Sequence, residues 1–94
     1  MAIVAATQFS DRLGDAVARK RTQLVVGLDP VVERLPPELG GDIGAFCRGI
    51  VDAVEPYAVA VKPQSAFFEA HGAEGMREFW DVCAYARSAG LLVI

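Results

Sequence analysis

The chain has 94 residues, of which 53% are hydrophobic and 22% are charged, with a net charge of -3. This composition is typical of one small globular domain and excludes a disordered chain. The acidic balance argues against a nucleic-acid-binding surface, and no stretch approaches the ~20 apolar residues of a membrane span.

The amino-terminal segment and the cysteines bear on cellular location. Residues 1–6 are apolar, but they are few and lack the basic start of a secretory signal. Cys47 and Cys83 fall in helical apolar patterns, at a spacing that matches neither a disulfide framework nor a metal site. We therefore predict two buried, reduced thiols and a cytoplasmic protein without a metal centre.

Hydrophobic periodicity predicts alternating helices and strands along the whole chain. The first helix is expected over residues 9–21, with Ser10 as its N-cap. A strand over residues 24–28 follows, and then a loop over residues 29–41, which is rich in proline and glycine. The remaining predicted elements are a helix over residues 42–55, a strand over 57–62, a short helical turn over 64–70 interrupted by Gly72 and Gly75, a helix over 76–89 and a third strand over 91–94.

Two of the strands end in the same way, with a charged residue followed by proline. Asp29-Pro30 closes the first strand and Lys62-Pro63 closes the second. A lysine at the end of a buried strand is costly unless it is paired. Ligands of α/β proteins bind at the carboxyl ends of parallel strands. Neighbouring strands lie roughly 4.8 Å apart, so we expect Asp29 and Lys62 to emerge on one rim, within reach of each other.

The strand–helix unit recurs about every 33–34 residues. Repeated βαβ units require a parallel sheet, and eight of them would need roughly 270 residues, the size of a (β/α)8 barrel. Small residues and both charges share one strand face, as a narrow barrel interior with a charged mouth requires. We predict an α/β fold in which residues 1–94 form the first three βα units of one (β/α)8 TIM barrel domain, cut after strand 3. A doubly wound open sheet is the alternative.

Two segments carry a resemblance to a known family. They are residues 26–30, Val-Gly-Leu-Asp-Pro, and residues 61–69, Val-Lys-Pro-Gln-Ser-Ala-Phe-Phe-Glu. In order and spacing they resemble the longer bacterial branch of orotidine 5′-phosphate decarboxylase, and the resemblance extends from Phe9 to Ile94. It implies a barrel, usually a homodimer, that converts orotidine 5′-phosphate to uridine 5′-phosphate and carbon dioxide in pyrimidine biosynthesis, without a metal or organic cofactor.

The resemblance also assigns roles to two residues. Asp29 would bind a ribose hydroxyl, and Lys62 would be a catalytic residue in an alternating Lys/Asp charge network that also touches the ribose. The family's proton-donating lysine belongs to an Asp-x-Lys-x-x-Asp motif directly after the third strand, and residues 1–94 do not contain that motif. We therefore expect the 94-residue chain alone to be inactive, and its partner in the complete enzyme to be a small-molecule substrate.

Other interpretations of the same residues stay open. Asp29 is also compatible with a turn-capping role, and His71 is best explained as a surface loop residue. Two other functions compete with the decarboxylase: a non-catalytic remnant or interaction module, and another phosphosugar-binding barrel enzyme. The residues that follow the third strand would discriminate between the three.

Overall fold

The computed structural model of the protein describes residues 8–94 and has an α/β architecture. The prediction that residues 1–6 are not a secretory signal concerns residues outside the described range. No helix in the described range is both long and apolar enough to cross a bilayer. The elements in chain order are α1 (Phe9–Lys20), β1 (Val25–Leu28), two 3-10 turns (Val32–Arg34 and Pro37–Leu39), α2 (Ile43–Val54), β2 (Ala60–Pro63), α3 (Ser65–Glu69), α4 (Gly72–Ser88) and β3 (Leu92–Val93).

The three strands form one parallel sheet in the order β1-β2-β3. Val25 of β1 pairs with Ala60 of β2, which pairs in turn with Leu92 of β3. Each connection between parallel strands passes through a helix, as the geometry of parallel pairing requires. The predicted α/β class is therefore confirmed.

The outer face of the sheet carries the main hydrophobic core. Leu28 of β1 and Val61 of β2 are buried there against residues of α2 and α4. The members contributed by the two helices are Ile43, Cys47, Val51, Val82 and Ala86. Burying a side chain of this kind contributes about 1.5–3 kcal/mol for the larger aliphatic residues, so this layer fixes how the helices cover the strands.

Helix α1 covers the opposite, inner face of the sheet at its amino end. Ala16 packs against Val59 and Ala60, in a cluster separate from the main core. The Lys20 ammonium at the end of α1 donates hydrogen bonds to the backbone carbonyls of Glu55 and Ala58, each at 3.0 Å. These bonds join α1 to the end of α2 and to the segment that leads into β2.

Three local predictions are wrong in detail. Helix α1 begins after Gln8, not after Ser10, and no side chain caps it. Tyr57 lies outside β2 and is 67% exposed, because the amides of Tyr57 and Ala58 both donate to the carbonyl of Val54 and extend the helical turn. Helix α4 begins at Gly72 and runs through Gly75 instead of being interrupted there.

Gly75 is required where it stands because α3 and α4 approach each other closely. A Cβ placed on Gly75 would overlap the carbonyl oxygen of Phe68 in α3. Phe68 is itself fully buried and meets Phe79 of α4 edge to face, with the ring centroids 5.3 Å apart. The glycine thus allows α4 to pack against the short helix that follows the Lys62 strand.

Candidate functional site

Asp29 and Lys62 line a single cleft at the carboxyl end of the sheet. Asp29 directly follows β1, and Lys62 lies in the neighbouring strand β2, opposite Gly27. A Cβ on Gly27 would lie 3.5 Å from Asp29 Oδ2, so the carboxylate folds back over the position that faces Lys62. The cleft has a volume of about 310 Å³ and is also lined by Val25 and Gln64. Parallel pairing of β1 and β2 thus brings both predicted site residues to one rim.

The strand register offsets the backbone positions of Asp29 and Lys62 along the sheet. Lys62 is paired with Gly27, so it lies two residues below Asp29 in the register, a rise of about 6.6 Å along the strand. Asp29 and Lys62 are absent from the ion pairs formed within residues 8–94. The two groups, which the sequence places on one rim and within reach of each other, form no ion pair here, and both line the same cleft.

Strand β2 holds Lys62 firmly because it is paired on both sides. The amide of Gln64 donates to the Leu28 carbonyl at 3.1 Å, which joins the end of β2 to β1. On the other side, the amide of Ile94 donates to the Val61 carbonyl at 3.0 Å. The side chains on either side of Lys62, those of Val61 and Pro63, are buried. The backbone that carries the ammonium is consequently a central strand with little freedom to move.

The Lys62 side chain is exposed, so the cost of burying its charge, which the sequence predicted, does not arise. A lysine that ends a buried strand was expected to need a partner to offset the cost of burial. Here the backbone of β2 is buried while the Lys62 and Asp29 side chains both face the open cleft. Water solvates both charges, so no partner is required for stability, and the ammonium is accessible to a ligand.

Gln64 is a further polar residue of the cleft, and it was not among the site residues predicted from the sequence. It lines the cleft beside Asp29 and Lys62 and occupies the N-cap position of α3, where its side chain makes no capping hydrogen bond. The signal was present in the sequence, because a residue two positions after Lys62 falls on the same strand face.

Several curated bacterial proteins similar to the chain carry the same name. No family model matches the chain. Orotidine 5′-phosphate decarboxylase of Bordetella petrii is 49% identical over 84 residues, which cover 86% of this chain and 30% of that protein. The enzyme of the same name from Rhodopirellula baltica is 38% identical over 98 residues, which cover 92% of this chain and 32% of that protein. The chain is thus similar to part of the proteins of that name.

Solved structures agree with this relationship. A Streptomyces avermitilis protein provisionally named orotidine 5′-phosphate decarboxylase is 33% identical and superimposes with a TM-score of 0.79, over 99% of this chain and 34% of its own. UMP synthase of Leishmania donovani is also 33% identical, with a TM-score of 0.75 over 94% of this chain and 18% of its own. The decarboxylase neighbours are TIM barrels, so the three βα units of this chain correspond to part of such a barrel. The chain spans about 30% of the length of the curated decarboxylases that it matches.

A second polar cleft, outside the decarboxylase-like rim, lies where α2 and α4 begin. It has a volume of about 210 Å³ and brings together Asp42, His71, Glu74 and Glu78. His71 is exposed, as predicted. No group of three or more His, Cys, Asp or Glu side chains within residues 8–94 is arranged to hold a metal ion.

Both cysteines are free and buried, as the sequence predicted. Burial raises the pKa of the Cys47 thiol to about 12; the Arg48 guanidinium opposes this shift, while the carboxylates of Asp29 and Glu78 add to it. Burial also raises the pKa of Cys83, against the opposing effect of Arg87. Because the thiolate is the reactive form, neither residue is suited to act as a nucleophile.

Thiol labelling at pH 8 is therefore expected to be negligible for both cysteines in the folded protein and rapid in denaturant. Mass spectrometry of samples treated with an alkylating reagent, with and without denaturant, measures this directly. Rapid labelling of Cys47 in the folded protein would contradict the buried position of that thiol.

Stability at alkaline pH should reflect the same thiol. The folded state holds the Cys47 proton up to a pKa of about 12, whereas an unfolded thiol releases it near pH 8.5. Between these values the folded state binds more protons, so the free energy of unfolding should fall as pH rises, by at most about 1.4 kcal/mol per pH unit from this group. Denaturant titrations at several pH values should show a shallower fall in Cys47→Ala, and an unchanged slope would contradict this assignment.

Proposed function

We propose that residues 8–94 supply part of the active site of an orotidine 5′-phosphate decarboxylase, as the N-terminal portion of a single barrel domain spanning residues 1–94 and beyond. The complete enzyme would convert orotidine 5′-phosphate to uridine 5′-phosphate and carbon dioxide. The observation that carries this proposal is the placement of Asp29 and Lys62 on one open cleft at the carboxyl edge of a parallel sheet. The identity of 49% to a protein of that name supports the same conclusion.

The chemistry explains why a fixed cation belongs in this cleft. Loss of carbon dioxide from the pyrimidine leaves a carbanion, and without a cofactor no other group delocalises its charge. Preorganised charges that meet the transition state stabilise it most effectively in a site that excludes water. Lys62 lies on a strand that is hydrogen-bonded on both sides, so its backbone needs no reorganisation during the reaction. We assign it to the charge network and not to the proton transfer, which requires a second lysine.

Asp29 has a different role in this proposal. Its Oδ2 lies 3.5 Å from the position of a Cβ on Gly27, the residue that pairs with Lys62, and both charged residues line the same cleft. A carboxylate accepts hydrogen bonds and is well suited to bind a ribose hydroxyl, while the ammonium donates to the other side of the same sugar. This interaction exists before the chemical step, so it should contribute to substrate binding more than to turnover.

The test of the proposed function is a chimera in which residues 1–94 replace the matching segment of the Bordetella petrii relative. We expect the purified chimera to form uridine 5′-phosphate from orotidine 5′-phosphate, as followed by chromatography. The 94-residue chain alone should show no turnover above buffer, because it contains no Asp-x-Lys-x-x-Asp motif. Turnover by the isolated chain would contradict the assignment of proton transfer to a residue outside it. A folded but inactive chimera would favour the non-catalytic alternative.

Replacing Asp29 by alanine in the active chimera should raise KM for orotidine 5′-phosphate and change kcat much less. A hydrogen bond to a charged group contributes about 1.5–3 kcal/mol, so we expect kcat/KM to fall about 10- to 100-fold. Asp81→Ala, which removes an exposed carboxylate on α4 outside the residues that line the cleft, is the matched control. A drop in kcat with an unchanged KM would assign Asp29 to the chemical step instead.

We further propose that the complete enzyme is a homodimer of pyrimidine biosynthesis that acts without a metal or organic cofactor. We also propose that it is cytoplasmic and that it binds neither nucleic acid nor membranes. The dimer, the pathway and the lack of a cofactor are what the resemblance to the decarboxylase family implies. The location and the absence of nucleic-acid or membrane binding are expected from the charge and hydropathy of the sequence. Light scattering after size-exclusion chromatography measures the oligomeric state of the chimera. Dialysis against a metal chelator should leave its kcat unchanged, and a loss that added metal restores would contradict the cofactor-free proposal.

A further inference from the structure

We draw no further inference here: the strongest candidate, the acidic cleft of Asp42, His71, Glu74 and Glu78 between the amino ends of α2 and α4, is a cluster of carboxylates in which Glu78 already pairs with Arg48 and Glu74 with Arg77, and nothing else within residues 8–94 points to a ligand there.

Discussion

Lys62→Ala in the active chimera is expected to lower kcat for orotidine 5′-phosphate by about 10²–10³-fold, the usual cost of removing one preorganised charge-stabilising group. Its ammonium is a cation that lines the cleft beside Asp29. Without it, the cleft keeps the Asp29 carboxylate but loses the cation that we propose to stabilise the developing negative charge, which disturbs the geometry that the transition state requires.

The fold should tolerate this substitution, because the Lys62 side chain is exposed and β2 is held by backbone hydrogen bonds on both sides. Thermal unfolding of the variant therefore separates lost chemistry from lost structure. Arg77→Ala is a suitable control, since Arg77 forms an exposed ion pair with Glu74, and such pairs contribute little to stability. Near-normal kcat with a raised KM in Lys62→Ala would remove Lys62 from the charge network and leave it a binding role only.

Gly75→Ala should destabilise the protein strongly, although it adds only one methyl group. That methyl group would overlap the carbonyl oxygen of Phe68, which belongs to the backbone and cannot rotate away as a flexible side chain would. Overpacking of this kind costs about 1–3 kcal/mol and occasionally more. The movement that relieves it must separate α4 from α3, and it would also disturb the contact between Phe68 and Phe79.

Gly49→Ala provides the opposite expectation from the same chemical change. Gly49 lies within α2, and a Cβ there would meet nothing within 4 Å. Alanine is a better helix former than glycine by about 1 kcal/mol, so this variant should be more stable. Urea titrations of the two variants measure the contrast. If Gly75→Ala were as stable as the unaltered protein, the close approach of α3 and α4 would be wrong.

The sequence predicted the parts of this fold that depend on periodicity. The stripe after Asp42 predicted α2, and the Asp42 side chain accepts a hydrogen bond from the Ala45 amide at 2.9 Å, as a helix cap should. The short turn before Gly72 is α3, and Gly90 ends the last helix with a positive φ of 91°. The parallel order of the strands followed from the repeated βαβ pattern, and with it the common rim of Asp29 and Lys62.

What the sequence could not supply depends on contacts between distant residues. Gly75 was expected to interrupt a helix, because helix propensity is a local property and does not include the close approach of Phe68. Tyr57 was expected to belong to a buried strand because the residues that follow it are apolar. Its amide instead donates a hydrogen bond to the Val54 carbonyl, within a turn that the sequence pattern does not indicate. The separation of Asp29 from Lys62 is a matter of register, and register depends on how the two strands align, which strand composition alone leaves open.

The register of the sheet also bears on how the protein could be made. The paired residues Val25 and Ala60 are about 35 positions apart, and Ala60 and Leu92 about 32. Within residues 8–94, both strand pairings therefore join one βα unit to the next, and neither waits for a distant part of the chain. As synthesis proceeds at about 5–20 residues per second, each new strand emerges within seconds of its partner. Assembly from the amino end can thus keep pace with the ribosome, because each new strand pairs with the strand made just before it.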